Sequence, residues 1–143
     1  MPQQLSRLST RGQAYIVGVS AIGLTVAVYS LVQLFVLAVD WQWLILAALT
    51  LLTGTFTVRI PGIPALLSVS DTFVFASVLL FGPAAGTITA LLDALIISLR
   101  VGQFTRTPFR LIFNVAAVPL ATRLSGEVFF GVAGIQPYSI QHT

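Results

Sequence analysis

The chain contains no cysteine, no lysine and a single histidine, His142. Without thiols there are no disulfides, no Cys-ligated zinc or iron–sulfur clusters and no thiol nucleophile, and one histidine excludes a His-clustered metal site or an ordinary Ser-His-Asp triad. Charge is equally scarce. Seven arginines and four acidic residues make 8% of 143 residues, against about 25% in a soluble domain, too few to cover a water-exposed surface. What is present is apolar: 57% of residues are hydrophobic and the mean hydropathy is +0.98. Such a chain suits a bilayer. Its net charge of +3 is too small and too scattered for nucleic acid. No phosphate, nucleotide or metal motif occurs, so no cofactor, metal ligand or catalytic residue is expected in this segment.

The hydropathy pattern predicts an all-α, polytopic helical bundle of about five membrane spans. Residues 1–11 form a basic N-terminal segment, 12–134 the bundle, and 135–143 a short polar tail. The first span, 12–39, has 28 residues without a charge, where about 20 suffice for a hydrocarbon core. Asp40 ends it, between apolar runs, and Trp41 and Trp43 have the amphipathic rings of a headgroup layer. The second span covers 41–58 and stops at Arg59. Two prolines and a glycine then break helix before Ser70 and Asp71, which are candidate N-caps for a helix beginning near Thr72. This third span, 65–82, is short. It either extends back through Ala65 to Ser70, crosses a thinned region, or is re-entrant. Gly82-Pro83 joins it to the fourth, 83–99, as a helix-ending Gly followed by a helix-starting Pro. The fifth, 111–132, carries Pro119 as an expected kink.

Threading from a cytoplasmic N-terminus places Arg7, Arg11, Arg59, Arg100, Arg106 and Arg110 on the inner side and no arginine in the outer connections. That asymmetry follows the positive-inside rule and points to a bacterial inner-membrane protein. Five spans leave Thr143 outside, so the parent protein is expected to continue through at least one more helix.

Small residues recur every fourth position along the fourth span: Gly82, Gly86, Ala90, Ala94 and Ser98. They make a groove that admits a neighbouring backbone. Asp93 lies seven residues after Gly86, about 20° around the helix, and faces the same groove. A carboxylate within the membrane costs at least about 2.5 kcal/mol unless paired, protonated or hydrated. Its candidate partners are on the fifth span: Asn114, nearly level with it, and Arg123, which must reach down. Arg123 has an alternative partner in Glu127, four residues on. Asp71 is expected to cap the third helix. Gln33, Thr50, Thr53 and Thr57 either bond their own backbone or line a polar seam, and Phe73, Phe75 and Phe81 are expected to pack. Asp93, Asn114, Arg123, Asp71 and Glu127 are therefore the candidate ligand-binding or intramembrane polar residues.

The stretch Ile60-Pro-Gly-Ile-Pro-Ala-Leu-Leu-Ser-Val-Ser-Asp-Thr-Phe-Val-Phe, with Leu79-Leu-Phe-Gly-Pro-Ala-Ala-Gly86, Leu91-Leu-Asp-Ala-Leu-Ile-Ile-Ser-Leu-Arg100 and Arg110-Leu-Ile-Phe-Asn114, resembles the N-terminal membrane module of bacterial signalling proteins that carry an HD-GYP phosphohydrolase or a GGDEF diguanylate cyclase domain. It covers about positions 59 to 114. The resemblance implies a sensory input module, non-catalytic in itself because neither an HD dyad nor a GGDEF loop is here. The Ser-Asp, Phe-Gly-Pro-x-x-Gly and intramembrane Asp pattern is also similar to substrate-binding S components of energy-coupling-factor transporters, six-helix proteins that bind vitamins or metal ions; Asp71, Gly82, Pro83, Gly86 and Asp93 would carry over. A structural membrane subunit is the third alternative. The candidate partners are the lipid bilayer, a small-molecule ligand and a second copy of the chain, with no nucleic acid.

Overall fold

The computed structural model describes residues 9–36, 41–59, 61–62, 66–102 and 108–138. Asp40, Arg7, Arg106, His142 and the tail from 139 lie outside them. The described residues form five helices: α1 Thr10–Val36, α2 Gln42–Thr53, α3 Ser70–Phe81, α4 Pro83–Gly102 and α5 Pro108–Ala133. Between α2 and α3 the chain forms one antiparallel pair of short strands, β1 Thr57–Arg59 and β2 Leu66–Ser68, with Thr57 opposite Ser68 and Arg59 opposite Leu66. Three helices are long and apolar enough to cross a membrane: Thr10–Val36, Pro83–Arg100 and Phe109–Ala133. The 12-residue α2 and α3 are about 18 Å long, little more than half that reach.

Local chemistry sets these boundaries. Ser9 caps α1, its hydroxyl accepting from the Gly12 N–H at 3.3 Å. The predicted Gly82-Pro83 junction forms as expected: Gly82 adopts φ +99°, its N–H donates to the Val78 carbonyl, and Pro83 starts α4. Gly134, at φ +65°, closes α5 by donating to Phe130. Pro119 is buried inside α5, which is assigned as one helix on both sides of it.

The expectations for the second and third spans need correction. α2 stops at Thr53, and the β-branched Thr57-Val58 segment pairs with Leu66–Ser68 instead of extending the helix to 58. The same pairing removes 66–68 from the third helix, which begins at Ser70, and Ala65 lies outside the described residues. The turn linking the strands includes Gly62 at φ +90° after Pro61, a combination that ends helix. Asp71 does not cap α3: the N-cap is Val69 in helical conformation with no side-chain bond, and Asp71 sits exposed in the first turn. Trp41 is exposed, but Trp43 is buried in the core, beside Leu34, Ala47, Ala85 and Ile88.

Contacts fix the direction of each helix. Val78 of α3 meets Gly86 of α4, and Ser70 lies beside Asp93, so these two helices are antiparallel. Trp43 bonds to Ala85 and Thr89, and Gly54 abuts Asp93, so α2 runs parallel to α4. Gly126 of α5 packs on Pro83, and Leu111 and Ile112 share a cleft with Ser98 and Leu99, so α5 is antiparallel to α4. Gly23 lies on the Ala116 backbone and Ser30 on Arg123, a constant register that makes α1 and α5 parallel. Direction therefore alternates through all five helices. Arg11, Arg100 and Arg110, all exposed, fall at one end, and the Gly82-Pro83 turn at the other.

α4 is the hub. Gly82, Gly86, Ala90, Ala94 and Ser98 are all buried, as is everything from Ala84 to Ala90. The outer faces are oily: Val28, Phe35, Leu52, Leu99, Val128 and Val132 are among the exposed apolar residues, on four different helices. Phe81 packs against the core, but Phe75, 68% exposed, does not.

Candidate functional site

Asp93 lies about 15 Å along α4 from the Gly82-Pro83 turn and about 10 Å from Arg100, so it sits at neither end of the helix. It is 5% exposed. The face that carries it also carries Ala85 and Thr89, four and eight residues earlier, and meets α2 and α3. On α2 the buried residues are Trp43, Ala47, Thr50 and Gly54, a 4-3-4 stripe that turns one helical face inward. On α3, Ser70 and Ser77 are seven apart and both fully buried.

These three faces enclose a polar seam in an otherwise apolar core. At the end nearer the Gly82-Pro83 turn the Trp43 indole Nε1–H donates to Thr89 Oγ1 at 2.9 Å and to the Ala85 carbonyl at 3.3 Å. Thr50 and Thr89 satisfy their own hydroxyls by donating to carbonyls four residues back. At the other end, nearer the arginines, the Asp93 carboxyl lies between the last turn of α2 and the first turn of α3. A Cβ placed on Gly54 would lie 3.1 Å from Asp93 Oδ1 and 3.0 Å from the Thr50 carbonyl oxygen, so only glycine lets the carboxyl approach this closely. The Ser70 hydroxyl stands beside the carboxyl and also hydrogen-bonds with Ser68. Asp93 Oδ1 has no hydrogen-bond partner among the described residues, and neither has Ser77 Oγ.

An unpaired carboxyl oxygen at this depth is costly, because the interior offers no water to replace a missing donor. The arrangement gathers a buried carboxyl, a hydroxyl and a helix-end carbonyl between two helix ends. It has no nucleophile–base pair, and the described residues hold no group of three His, Asp or Glu side chains fit for a metal.

Neither expected partner reaches Asp93. Arg123 shares a face of α5 with Ala116, seven residues earlier, and that face meets α1. Its guanidinium donates to Gln33 Oε1 at 2.8 Å and Ser30 Oγ at 3.2 Å, pairs with Glu127 at 2.7 Å and lies 5.4 Å from the centre of the Tyr29 ring. The side chain is 13% exposed against 55% for Glu127. Gly126 touches Pro83, which puts Arg123 near the level of Gly86 and about 10 Å from Asp93 along the bundle. Of the two alternatives for Arg123, the structure has the Glu127 pair. Asn114 is close to the right level but exposed. It lines a shallow cleft of about 220 Å³ with Ile16, Phe109, Arg110 and Phe113. Asp71 is exposed, next in sequence to Ser70 and near enough to Asp93 for the two charges to interact.

Sequence reasoning placed Asp93 in the groove and missed the residues that face it. From sequence alone Ser70 reads as a cap, Thr50 reads equally as bonding its own backbone or lining a seam, and Trp43 suits a headgroup layer. The 4-3-4 stripe on α2 and the Ser70/Ser77 heptad spacing were the available signals. The chain matches no protein-family model, no curated protein and no solved structure.

Proposed function

We propose that this chain is the membrane-embedded input module of a bacterial signalling protein, crossing the inner membrane with its N-terminus in the cytoplasm, and that Asp93 is its sensing element. The length of α4 between Pro83 and Arg100, about 27 Å, matches a hydrocarbon core. Arg11, Arg100 and Arg110 at one end agree with a cytoplasmic orientation. The oily outer faces agree with lipid.

One observation carries the sensory reading: a buried carboxyl oxygen is left without a partner where two short helices end against a long one. A packing group would be satisfied; one kept unsatisfied is poised for an occupant. A group bound at Asp93 would act on the ends of α2 and α3 where they meet α4, and α4 packs directly on α5, the last of the described long helices. The meeting of two half-length helix ends is also the specific feature in favour of a second reading, a substrate-binding subunit of a small-molecule transporter.

The gene beyond Thr143 separates them. The expected result is a reading frame that runs through at least one further helix into a cytoplasmic output domain. A stop after one more helix, beside a gene for a transport ATPase, would overturn the sensory reading in favour of the transporter.

A further inference from the structure

We infer that the shallow cleft between α1 and α5 at the arginine end of the bundle binds an acidic phospholipid of the inner leaflet, with the phosphate on Arg110 and an ester carbonyl on Asn114. The inference rests on the reading of the chain as a membrane module whose arginine end faces the cytoplasm, and it is independent of Asp93.

The cleft, about 220 Å³, is lined by Ile16 of α1 and by Phe109, Arg110, Phe113 and Asn114 of α5. Arg110 and Asn114 are four residues apart, one above the other on a single helical face, and both are exposed. Among the described residues neither has a hydrogen-bond or ion-pair partner. Phe113 is held against Tyr15 of α1, ring centres 6.2 Å apart, so the apolar side of the cleft is packed while its two polar groups stay open.

Depth identifies the ligand. Asn114 lies about 6 Å further into the bilayer than Arg110. An amide opened to lipid at that level has little water to bond, and an unsatisfied polar group there is costly. A phospholipid presents its phosphate at the surface and its glycerol ester carbonyls deeper, the same order as the guanidinium and the amide. A soluble phosphate would meet Arg110 and leave Asn114 without a partner. Ile16, Phe109 and Phe113 offer the acyl chains an apolar wall.

Charge selects an acidic headgroup. The described carboxylates all lie away from the cleft: Asp93 is buried against α2 and α3, Asp71 is on α3, and Glu127 is about 25 Å further along α5 than Arg110. The register of Gly23 on Ala116 and Ser30 on Arg123 sets Arg110 level with Val17, so the exposed Arg11 stands on α1 about 9 Å nearer the cytoplasm. α5 also turns its positive pole to this end, with no acidic side chain in its first turn. Basic clefts between helices on the cytoplasmic side hold acidic headgroups, whereas a zwitterionic lipid would leave the arginine charge unbalanced.

The test is binding of dioleoylphosphatidylglycerol to the full 143-residue chain in neutral detergent, read by native mass spectrometry, with dioleoylphosphatidylcholine for comparison. Phosphatidylglycerol is expected to bind about tenfold more tightly than phosphatidylcholine. Arg110→Gln should weaken its binding about tenfold and Asn114→Leu about threefold, since the first loses a charge-assisted bond and the second a neutral one. Ser98 and Leu99 share a cleft with Leu111 and Ile112, so Arg100→Gln removes the same charge at the same level but outside the site, and should bind as the parent does. Equal binding of the two lipids, equal losses in Arg100→Gln and Arg110→Gln, or displacement of the lipid by millimolar inorganic phosphate would each overturn the site, the last in favour of a soluble anion. Labelling of Gln103→Cys, in the connection between Arg100 and Arg110, by an impermeant thiol reagent on intact cells separates the two kinds of failure. No labelling together with no preference for phosphatidylglycerol overturns the lipid site and leaves the membrane reading standing, whereas labelling puts the arginine end outside and overturns both.

Discussion

Gly86→Leu is expected to remove the folded bundle from detergent extracts, or to lower its stability by more than about 3 kcal/mol. Even a single Cβ at Gly86 would overlap the Val78 side chain and come within 3.0 Å of the Val78 Cα. Leucine adds three more carbons at the same place, where α3 turns back on α4 at Gly82-Pro83 and has no freedom to withdraw. Gly126 and Pro83 close the other side of Val78. The strain must therefore be relieved by parting α3 from α4, which loosens the packing around Asp93 as well. Gly18→Ala is the control. Nothing lies within 4 Å of a Cβ at Gly18 in mid-α1, so the change should be silent or stabilise by up to about 1 kcal/mol through helix propensity. Size-exclusion profiles and melting curves of both variants check this. A Gly86→Leu chain as monodisperse and heat-stable as the parent would show that α3 does not pack on α4.

Arg123→Leu is expected to cost about 2 to 4 kcal/mol, because hydrogen bonds to a charged donor are among the stronger ones and two acceptors, one buried and one half-buried, lose theirs together. Those acceptors, Ser30 Oγ and Gln33 Oε1, are on α1, so the loss should loosen α1 from α5. Glu127→Gln should cost under about 1 kcal/mol, since Glu127 is 55% exposed and its half of the ion pair is screened. The two changes separate a buried anchor from a surface pair. A double variant of Arg123→Gln with Asp93→Asn should show additive effects, within about 0.5 kcal/mol, because the residues lie on different faces and share no partner. Mutual rescue would show that the two charges compensate, contrary to the contacts seen. Melting temperatures of the four chains in one detergent provide the measurement.

How far the sequence disclosed this structure depends on the kind of signal. The Gly82-Pro83 junction was legible because each residue has a local conformational reason to be there. The buried stripe from Gly82 to Ser98 was legible because its spacing matches a helical turn. The end of α2 was not: hydropathy averages across Thr55 to Val58 as if they continued a helix, and their pairing with Leu66–Ser68 is a non-local event. Trp43 misled for a related reason, since an indole suits an interface and equally suits a core that offers the acceptors of Thr89 and Ala85. Arg123 and Asn114 were placed at sound depths but on the wrong face. Depth follows from counting residues, whereas azimuth depends on which neighbour a helix chooses, and Ala116 on Gly23 decided that for α5.

The central claim is that Asp93 is retained for an occupant and not for packing, and the stability of Asp93→Asn in the purified chain without added ligand tests it most directly. Asparagine keeps the shape, removes the charge and brings an N–H₂ donor that can reach the Thr50 carbonyl or Ser70. If one carboxyl oxygen of Asp93 is left unsatisfied in the unoccupied protein, the variant should unfold at a higher temperature than the parent, by an amount corresponding to about 1 to 2 kcal/mol. A lower midpoint for Asp93→Asn under those conditions would mean that the carboxylate already has its partners within the chain, and would contradict the account.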